Sequence, residues 1–241
     1  MVSNGGERRS IRRQTARALE GAGNALARTG RRLGSTASAD SLEGDRWVEW
    51  SFCMARLARG DGKTLDFGAG IGFLSLGAAQ KGHYVVALDR ETSSLRYSHE
   101  RVEIVHSDIL DHPLADRHFD QVINCSSVEH VGLPGRYGSN DVSEGDIEAM
   151  GILRDMLVPG GRMILTIPVG RDMVCSPLHR IYGEQRLPHL IEGFDLVEQQ
   201  YWRKDRETGW NQAERAIALA TEGSKSFYSL GLFVLAKPET G

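Results

Sequence analysis

The sequence predicts an α/β protein whose mainly parallel sheet carries helices on both faces. Three observations predict it. Short apolar runs recur at 64–67, 84–88, 102–105, 119–124, 162–167, 194–197 and 227–236, with helical or loop stretches between them; strands alternating with helices form parallel sheets covered on both sides. A chain of 241 residues with 40% hydrophobic and 25% charged residues suits one such domain with appendages, and it excludes wholesale disorder, collagen and coiled coil. Glycine stands at 28, against the roughly 17 that an average usage of ~7% would give, so tight turns and ligand loops are expected.

The elements follow in chain order. Residues 1–40 read as a basic extension of a domain at 41–241. Eight arginines against Glu7 and Glu20 give residues 1–34 a charge of +6, and the formal total of −3 leaves −9 for the remainder. Ile11, Thr15, Ala18, Ala22, Ala25, Thr29 and Leu33 recur at helical spacing, but Gly21 and Gly23 each cost about 1 kcal/mol relative to Ala. The arm is therefore a marginal amphipathic helix or a partly disordered, solvated extension, with weak attraction to an anionic surface as its functional alternative. Residues 41–59 read as a helix: Leu42, Trp47, Trp50, Met54 and Leu57 are its apolar residues, and Asp45, Arg46, Glu49 and Arg56 supply a polar face. Residues 74–80 and 146–157 read as further helices, the second stopped by Pro159, Gly160 and Gly161, and 212–221 reads as a helix inserted between the last two strands.

No apolar run approaches the ~18 residues of a membrane span, and the arginine-rich start lacks the apolar stretch of a secretory signal. A cytoplasmic protein, monomeric or homodimeric, is expected. Cys53, Cys125 and Cys175 are odd in number and widely spaced, which fits neither a disulfide framework nor a CxxC site, so they read as reduced and buried. Nucleic acid is not an expected partner, because the arm lacks interleaved aromatics and the body is acidic.

The strongest local signal is TLDFGAGIGF at 64–73, an apolar strand that runs into glycines and then a helix. Glycines let a ligand approach the backbone, and the helix start offers unpaired N–H groups. A dinucleotide fingerprint would need a small residue where Phe73 stands; the pattern from Asp66 to Gly72 is DxGxGxG instead. A carboxylate at Asp66 repels a pyrophosphate and suits a cationic amino group. Asp89 ends the next strand, where a carboxylate accepts two hydrogen bonds from a ribose diol. Asp108 ends the one after, where it can accept the exocyclic amine of adenine. The three point to a nucleoside that carries an amino acid.

On these residues the chain resembles the class I S-adenosylmethionine (SAM) methyltransferases over roughly 45–238. The resemblance implies their Rossmann-like fold, a seven-stranded, mostly parallel sheet with an antiparallel last strand. FDQVI at 119–123 looks like the fourth strand, LVPGG at 157–161 like the turn before the fifth, and 231–238 like the last. It also implies SAM as cofactor and S-adenosylhomocysteine as product. Asp66, Gly68, Ala69, Gly70 and Gly72 would surround the methionine end, Asp89 with Arg90 the ribose, Asp108 with Ile109 the adenine, and Asn124, Cys125 and Ser126 would touch the cofactor after the fourth strand. More narrowly, NCSSVEHVGLPGRYG at 124–138 and HRIYG at 179–183 resemble an uncharacterised methyltransferase-like family associated with polysaccharide synthesis, and the sugar O-methyltransferases of methylated mannose polysaccharides. That implies a sugar hydroxyl of an oligosaccharide or glycoconjugate as acceptor. A phenol or polyketide hydroxyl is the alternative, with Trp47, Trp50 and Phe52 lining an aromatic pocket; a SAM-binding module without catalysis is a third reading. Residues 1–40 lie outside every resemblance.

Methyl transfer from a sulfonium is an in-line displacement that gains mainly from alignment and exclusion of water. A hydroxyl acceptor must lose its proton as the new bond forms, which asks for a positioned base, and histidine is the natural one. His130 follows the fourth strand, at the sheet edge where pockets open in such folds, and is the expected base; His179 is its rival. Glu129 orients His130, contacts substrate hydroxyls or meets the methionine end of the cofactor. Arg136 and Tyr137, in a glycine-flanked loop, and Arg180 and Tyr182, after the fifth strand, are the expected acceptor contacts. Glu129, His130, Asp141 and Asp146 carry donors that a divalent cation would take, but no compact ligand spacing supports a metal and none is expected.

Overall fold

Side chains alternate across a pleated strand, so each strand offers one set of apolar residues to each face of its sheet. A computed structural model of the chain, which describes residues 44–91, 98–134, 141–205 and 208–239, arranges those sets around one mixed sheet. The basic arm at 1–40 lies outside the described residues, as do Arg136 and Tyr137. In chain order the elements are α1 (Asp45–Arg56), β1 (Lys63–Phe67), α2 (Phe73–Gln80), β2 (Tyr84–Asp89), β3 (Val102–His106), β4 (Phe119–Cys125), α3 (Gly145–Asp155) and β5 (Leu157–Val169). They continue as β6 (Met173–Cys175), β7 (His179–Ile181), α4 (Arg186–Leu190), β8 (Asp195–Asp205), β9 (Gly209–Ala213), α5 (Arg215–Leu219) and β10 (Ser229–Ala236).

The sheet order is β3-β2-β1-β4-β5-β10-β8-β9. Strands β1 to β5 pair in parallel, and β10 runs antiparallel between β5 and β8. This is the expected fold with one strand more. The eighth, β9, pairs antiparallel with β8, where Tyr201 meets Ala213 and Trp202 meets Gln212. Gln212 and Ala213 were expected in a helix, which shortens to α5. Polar NQA carries no strand pattern of its own, but the edge of β8 offers a row of backbone donors and acceptors that any extended segment can pair. The turn expected at 159–161 survives as an irregularity: the register with β4 jumps from Phe119↔Leu157 to Gln121↔Arg162.

On one face Leu65, Phe67, Val122, Met163, Leu165 and Phe233 pack with Met150 and Leu153 of α3. On the other, Val85, Ile123, Ile164, Leu232 and Val234 pack with Phe52 and Cys53 of α1 and Leu74 and Ala78 of α2. Lys81 Nζ donates to the Met54 and Leu57 carbonyls at 2.7 and 2.9 Å, so a cation closes the C-terminal end of α1. All three cysteines are free and buried. Among the described residues, no helix is long and apolar enough to cross a membrane. The strand order reverses between β1 and β4, and a crevice opens beyond their C-terminal ends, as it does at such switch points.

Candidate active site

The glycine loop leaves β1 at Phe67. Gly68, at φ 69°, sits so close to the turn after β4 that a Cβ there would lie 2.1 Å from Ser127 Oγ. Any larger residue forces the two apart. The Gly68 and Ala69 N–H groups donate to the Leu88 carbonyl at 2.8 and 3.2 Å, which ties the loop to β2. Gly72, at φ 77°, stands at the start of α2. Asp66 is buried on β1 and accepts a hydrogen bond from Ser75 Oγ at 2.5 Å. Burial, with a smaller contribution from the charge of Asp89, pushes its pKa up to about 6. Asp89 braces the loop: Oδ2 accepts from the Gly70 N–H at 2.8 Å and Oδ1 from the Glu91 N–H at 2.9 Å. Asp108 accepts from the Leu110 N–H at 3.1 Å, and its Oδ2 lies 3.4 Å from Arg90 Nη1. Arg90 therefore pairs with Asp108, not with its neighbour Asp89.

A cavity of about 380 Å³ joins these groups to the end of β4; Asp66, Gly68, Ala69, Gly70, Asp89, Arg90, Asp108, Ile109, Cys125, Ser126 and His130 line it. Gly72, Asn124, Glu129, His179, Arg180 and Tyr182 are not in its wall. Asn124 is buried behind it and accepts from the Val128 N–H at 3.3 Å, bracing the turn that carries His130. The hydrogen bond with Cys53, then burial, pushes the Cys125 thiol up, so it meets the cavity as a neutral group.

His130 Nδ1 lies 2.6 Å from the Leu178 carbonyl oxygen, and its Nε2 lies 3.7 Å from Glu129 Oε1. A carbonyl only accepts, so Nδ1 carries the proton and the neutral ring has its lone pair on Nε2. His179 stands behind His130, edge-on to it at 6.3 Å and edge-on to Tyr228 at 5.3 Å between ring centroids. Burial, then the charges of Asp45, Glu129 and Glu49, push the Tyr228 phenol up.

Arg180 and Tyr182 depart from the expected acceptor contacts. Both are buried on or next to β7, and both serve Asp146: the Tyr182 hydroxyl donates to its Oδ2 at 3.1 Å, and Arg180 Nε lies 3.4 Å from its Oδ1. A polar residue that follows a strand can turn into the core once a buried carboxylate receives it. Asp146 also accepts from Arg186 at 2.6 and 2.9 Å, while Asp141 is exposed. Among the described residues, no group of three His, Cys, Asp or Glu side chains is placed to hold a metal ion.

Three functional-looking residues come from α1. Glu49, fully buried, accepts from Arg46 Nη1 at 2.7 Å, from Thr166 Oγ1 at 2.8 Å and from Ser126 Oγ. It thereby clamps the left-handed Ser126 at the end of β4. Arg46 and Trp50 line the cavity, and Trp50 stacks on Phe73 at 4.6 Å. Arg46 and Glu49 had been read only as a polar helix face. The signal that could have found Glu49 is its spacing, since it lies three and four residues before the buried Phe52 and Cys53, on one helical face. The aromatic pocket of the alternative reading does not assemble: Trp47 is 78% exposed, and Phe52 is a core residue beneath the Arg56 guanidinium.

Two solved structures share this architecture. The 1,6-didemethyltoxoflavin-N1-methyltransferase of Burkholderia thailandensis, with bound 1,6-didemethyltoxoflavin and S-adenosylhomocysteine, aligns at a TM-score of 0.53 and 19% identity over 94% of this chain and 90% of that one. The N-methyltransferase NodS of Bradyrhizobium japonicum WM9, in complex with S-adenosylhomocysteine, aligns at 0.56 and 17% identity over 87% and 96%. At these identities the likeness is one of fold, that of the class I methyltransferases. A relative from Mycolicibacterium smegmatis, a probable S-adenosylmethionine-dependent methyltransferase, is 28% identical over 147 residues, 56% of this chain; the chain spans about half of that relative's length, 52%. The family model of DUF268, described as a Caenorhabditis protein of unknown function, matches residues 78–226, and the chain belongs to that family.

Proposed function

We propose that the chain is a SAM-dependent methyltransferase that methylates a sugar hydroxyl of an oligosaccharide or glycoconjugate, with His130 as general base. One observation carries the reading: a single cavity is walled by Asp66, Asp89 and Asp108 and, past the end of β4, by His130. The residues fit the cofactor. The glycine loop leaves backbone room that a Cβ would fill, Asp66 offers a carboxylate to an ammonium, and Asp89 and Asp108 offer acceptors to ribose and adenine. Bound there, SAM supplies an electrophilic methyl group on a sulfonium. The probable methyltransferase that the chain resembles over its matched half supports the same chemistry.

The chain's own groups then have distinct tasks. Asp66 must be ionised to hold a cation, and its pKa of about 6 makes it so at neutral pH. Asp89 meets the ligand with the lone pairs that Gly70 and Glu91 leave over. The Leu178 carbonyl holds the Nδ1 proton of His130, so Nε2 is the nitrogen that takes the hydroxyl proton. The Glu129 carboxylate, 3.7 Å from Nε2, stabilises the imidazolium that results. Trp50, stacked on Phe73, offers the acceptor a ring face that suits a pyranose and equally a phenol.

The test is a panel of oligosaccharides, phenols and amines with methyl-labelled SAM, read by S-adenosylhomocysteine release and by NMR of the product. Label on a sugar oxygen is the expected result. Label on a phenol or on nitrogen replaces the acceptor, and no SAM binding by calorimetry removes the reading altogether.

A further inference from the structure

Arg180 is among the largest fully buried side chains of the protein. Burying a guanidinium is expensive unless its donors are satisfied. Its Nη1 donates to the Val131 carbonyl at 2.6 Å, its Nη2 to the Ser143 and Val142 carbonyls at 3.1 and 3.4 Å, and its Nε faces Asp146. Val131 directly follows His130, while Val142 and Ser143 lead into α3. These two feet of the connection also meet each other: the Val142 N–H donates to the Gly132 carbonyl at 2.9 Å, and a Cβ on Gly132 would lie 2.2 Å from the Val142 oxygen. One guanidinium thus bolts the chain leaving His130 to the chain entering α3.

The same short segment holds the imidazole itself, because Leu178, just before β7, accepts from His130 Nδ1. His130 is gripped at two points, its ring by the Leu178 carbonyl and the peptide after it by Arg180. Neutralising Asp146 does not explain Arg180, since Arg186 already meets that carboxylate with two hydrogen bonds and Tyr182 with a third. Of these groups Arg180 alone reaches the Val131 and Val142 carbonyls; Arg186 shares only that of Ser143, at 3.4 Å.

We infer that Arg180 is a positioning residue for His130: by fixing the peptide that follows the imidazole it keeps Nδ1 on the Leu178 carbonyl and Nε2 as the ring's acceptor. The inference rests on the reading of His130 as base. Arg180→Lys keeps the charge beside Asp146 but replaces a planar fork with a point donor that reaches fewer carbonyls. Arg186→Lys disturbs the same buried carboxylate and a 3.4 Å hydrogen bond to the Ser143 carbonyl but leaves the Val131 and Val142 carbonyls untouched, and serves as the control.

In the wild type, ring ¹⁵N spectra of His130, assigned by their loss in His130→Gln, show one neutral tautomer protonated on Nδ1. Arg180→Lys mixes the tautomers and lowers kcat at least tenfold, with the SAM Kd within twofold; Arg186→Lys keeps the wild-type tautomer and a kcat within threefold. The inference is overturned if Arg180→Lys retains both tautomer and kcat, if Arg186→Lys reproduces its spectrum, or if wild-type His130 is protonated on Nε2. This last result is decisive even where Arg180→Lys does not fold. The spectra need no acceptor, so a wild type without methyl transfer defeats the functional reading while the spectrum still judges the clamp.

Discussion

At the nucleoside end of the cavity, Asp66, Asp89 and Asp108 stand at or just past the ends of three neighbouring strands, and two of them are braced by N–H groups of their own loops, Glu91 for Asp89 and Leu110 for Asp108, with Gly70 of the neighbouring strand's loop as a further donor to Asp89. At the other end the turn itself is braced locally by Asn124, but the groups that hold its functional side chains come from far along the chain. His130 depends on Leu178 and, through Val131, on Arg180, while Ser126 depends on Glu49 of α1. The first region is a set of carboxylates presented by a repeating strand–loop unit, and the second is a junction of distant segments. Under the proposed function they divide the work: the nucleoside end sets affinity, and the junction sets turnover.

The largest expected effect tests that division directly. His130→Ala should lower kcat by about 10²- to 10⁴-fold, since an alcohol that keeps its proton becomes an oxonium, while calorimetry shows the SAM Kd within twofold. A thousandfold loss for His179→Ala with a tenfold or smaller loss for His130→Ala would move the base to His179. At the opposite end, under the proposed function Asp89 accepts two ribose hydrogen bonds, and Asp89→Ala should weaken SAM binding roughly 5- to 150-fold, or ~1 to 3 kcal/mol. A kcat at saturating SAM that falls as far as in His130→Ala would erase the contrast between the two ends.

Asp66 sharpens the comparison through pH. Its folded pKa, about 6, lies above the ordinary 3.8. The stability this group contributes is therefore present below the ordinary value and lost as pH rises through about 6. Cofactor binding runs the other way, because the ammonium needs the ionised form: SAM affinity should rise as pH climbs through about 6. Asp66→Asn should raise the ligand-free Tm at pH 7.5 by about 2–8 °C, for 1–2 kcal/mol, and flatten the pH dependence of affinity. A Tm unchanged by this substitution, measured by calorimetric scans, argues against the burial penalty. The smallest effect belongs to Trp50→Ala: losing the ring face offered to the acceptor, at ~0.5–1.5 kcal/mol for an aromatic contact, should raise the acceptor KM about 2- to 10-fold with kcat nearly unchanged in steady-state kinetics.

The strands that carry the first region were legible because their apolar runs are long and their carboxylates follow directly. Even there the pairing was not: Arg90 stands beside Asp89 in the chain but reaches Asp108 in space. The separate antiparallel ribbon of β6 and β7 was invisible, since MVC and HRI are too short to show a period, and His179 and Arg180 of β7 were read as a rival base and an acceptor contact. Strand β9 was misread for a related reason, its pairing being supplied by the edge of β8 rather than by its own residues.

By itself the sequence determined the α/β class, the strand–glycine–helix unit and the row of strand-end carboxylates, because alternation, glycine conformation and residue chemistry act within a few positions of the chain. Only the tertiary structure decided that Glu49 and Arg180 are buried linchpins instead of solvated or acceptor-facing charges. A charged side chain enters a core only where partners from elsewhere in the chain offset its lost hydration. Those partners, Ser126 and Thr166 for the one and Val131, Ser143 and Asp146 for the other, come together only when the sheet has closed.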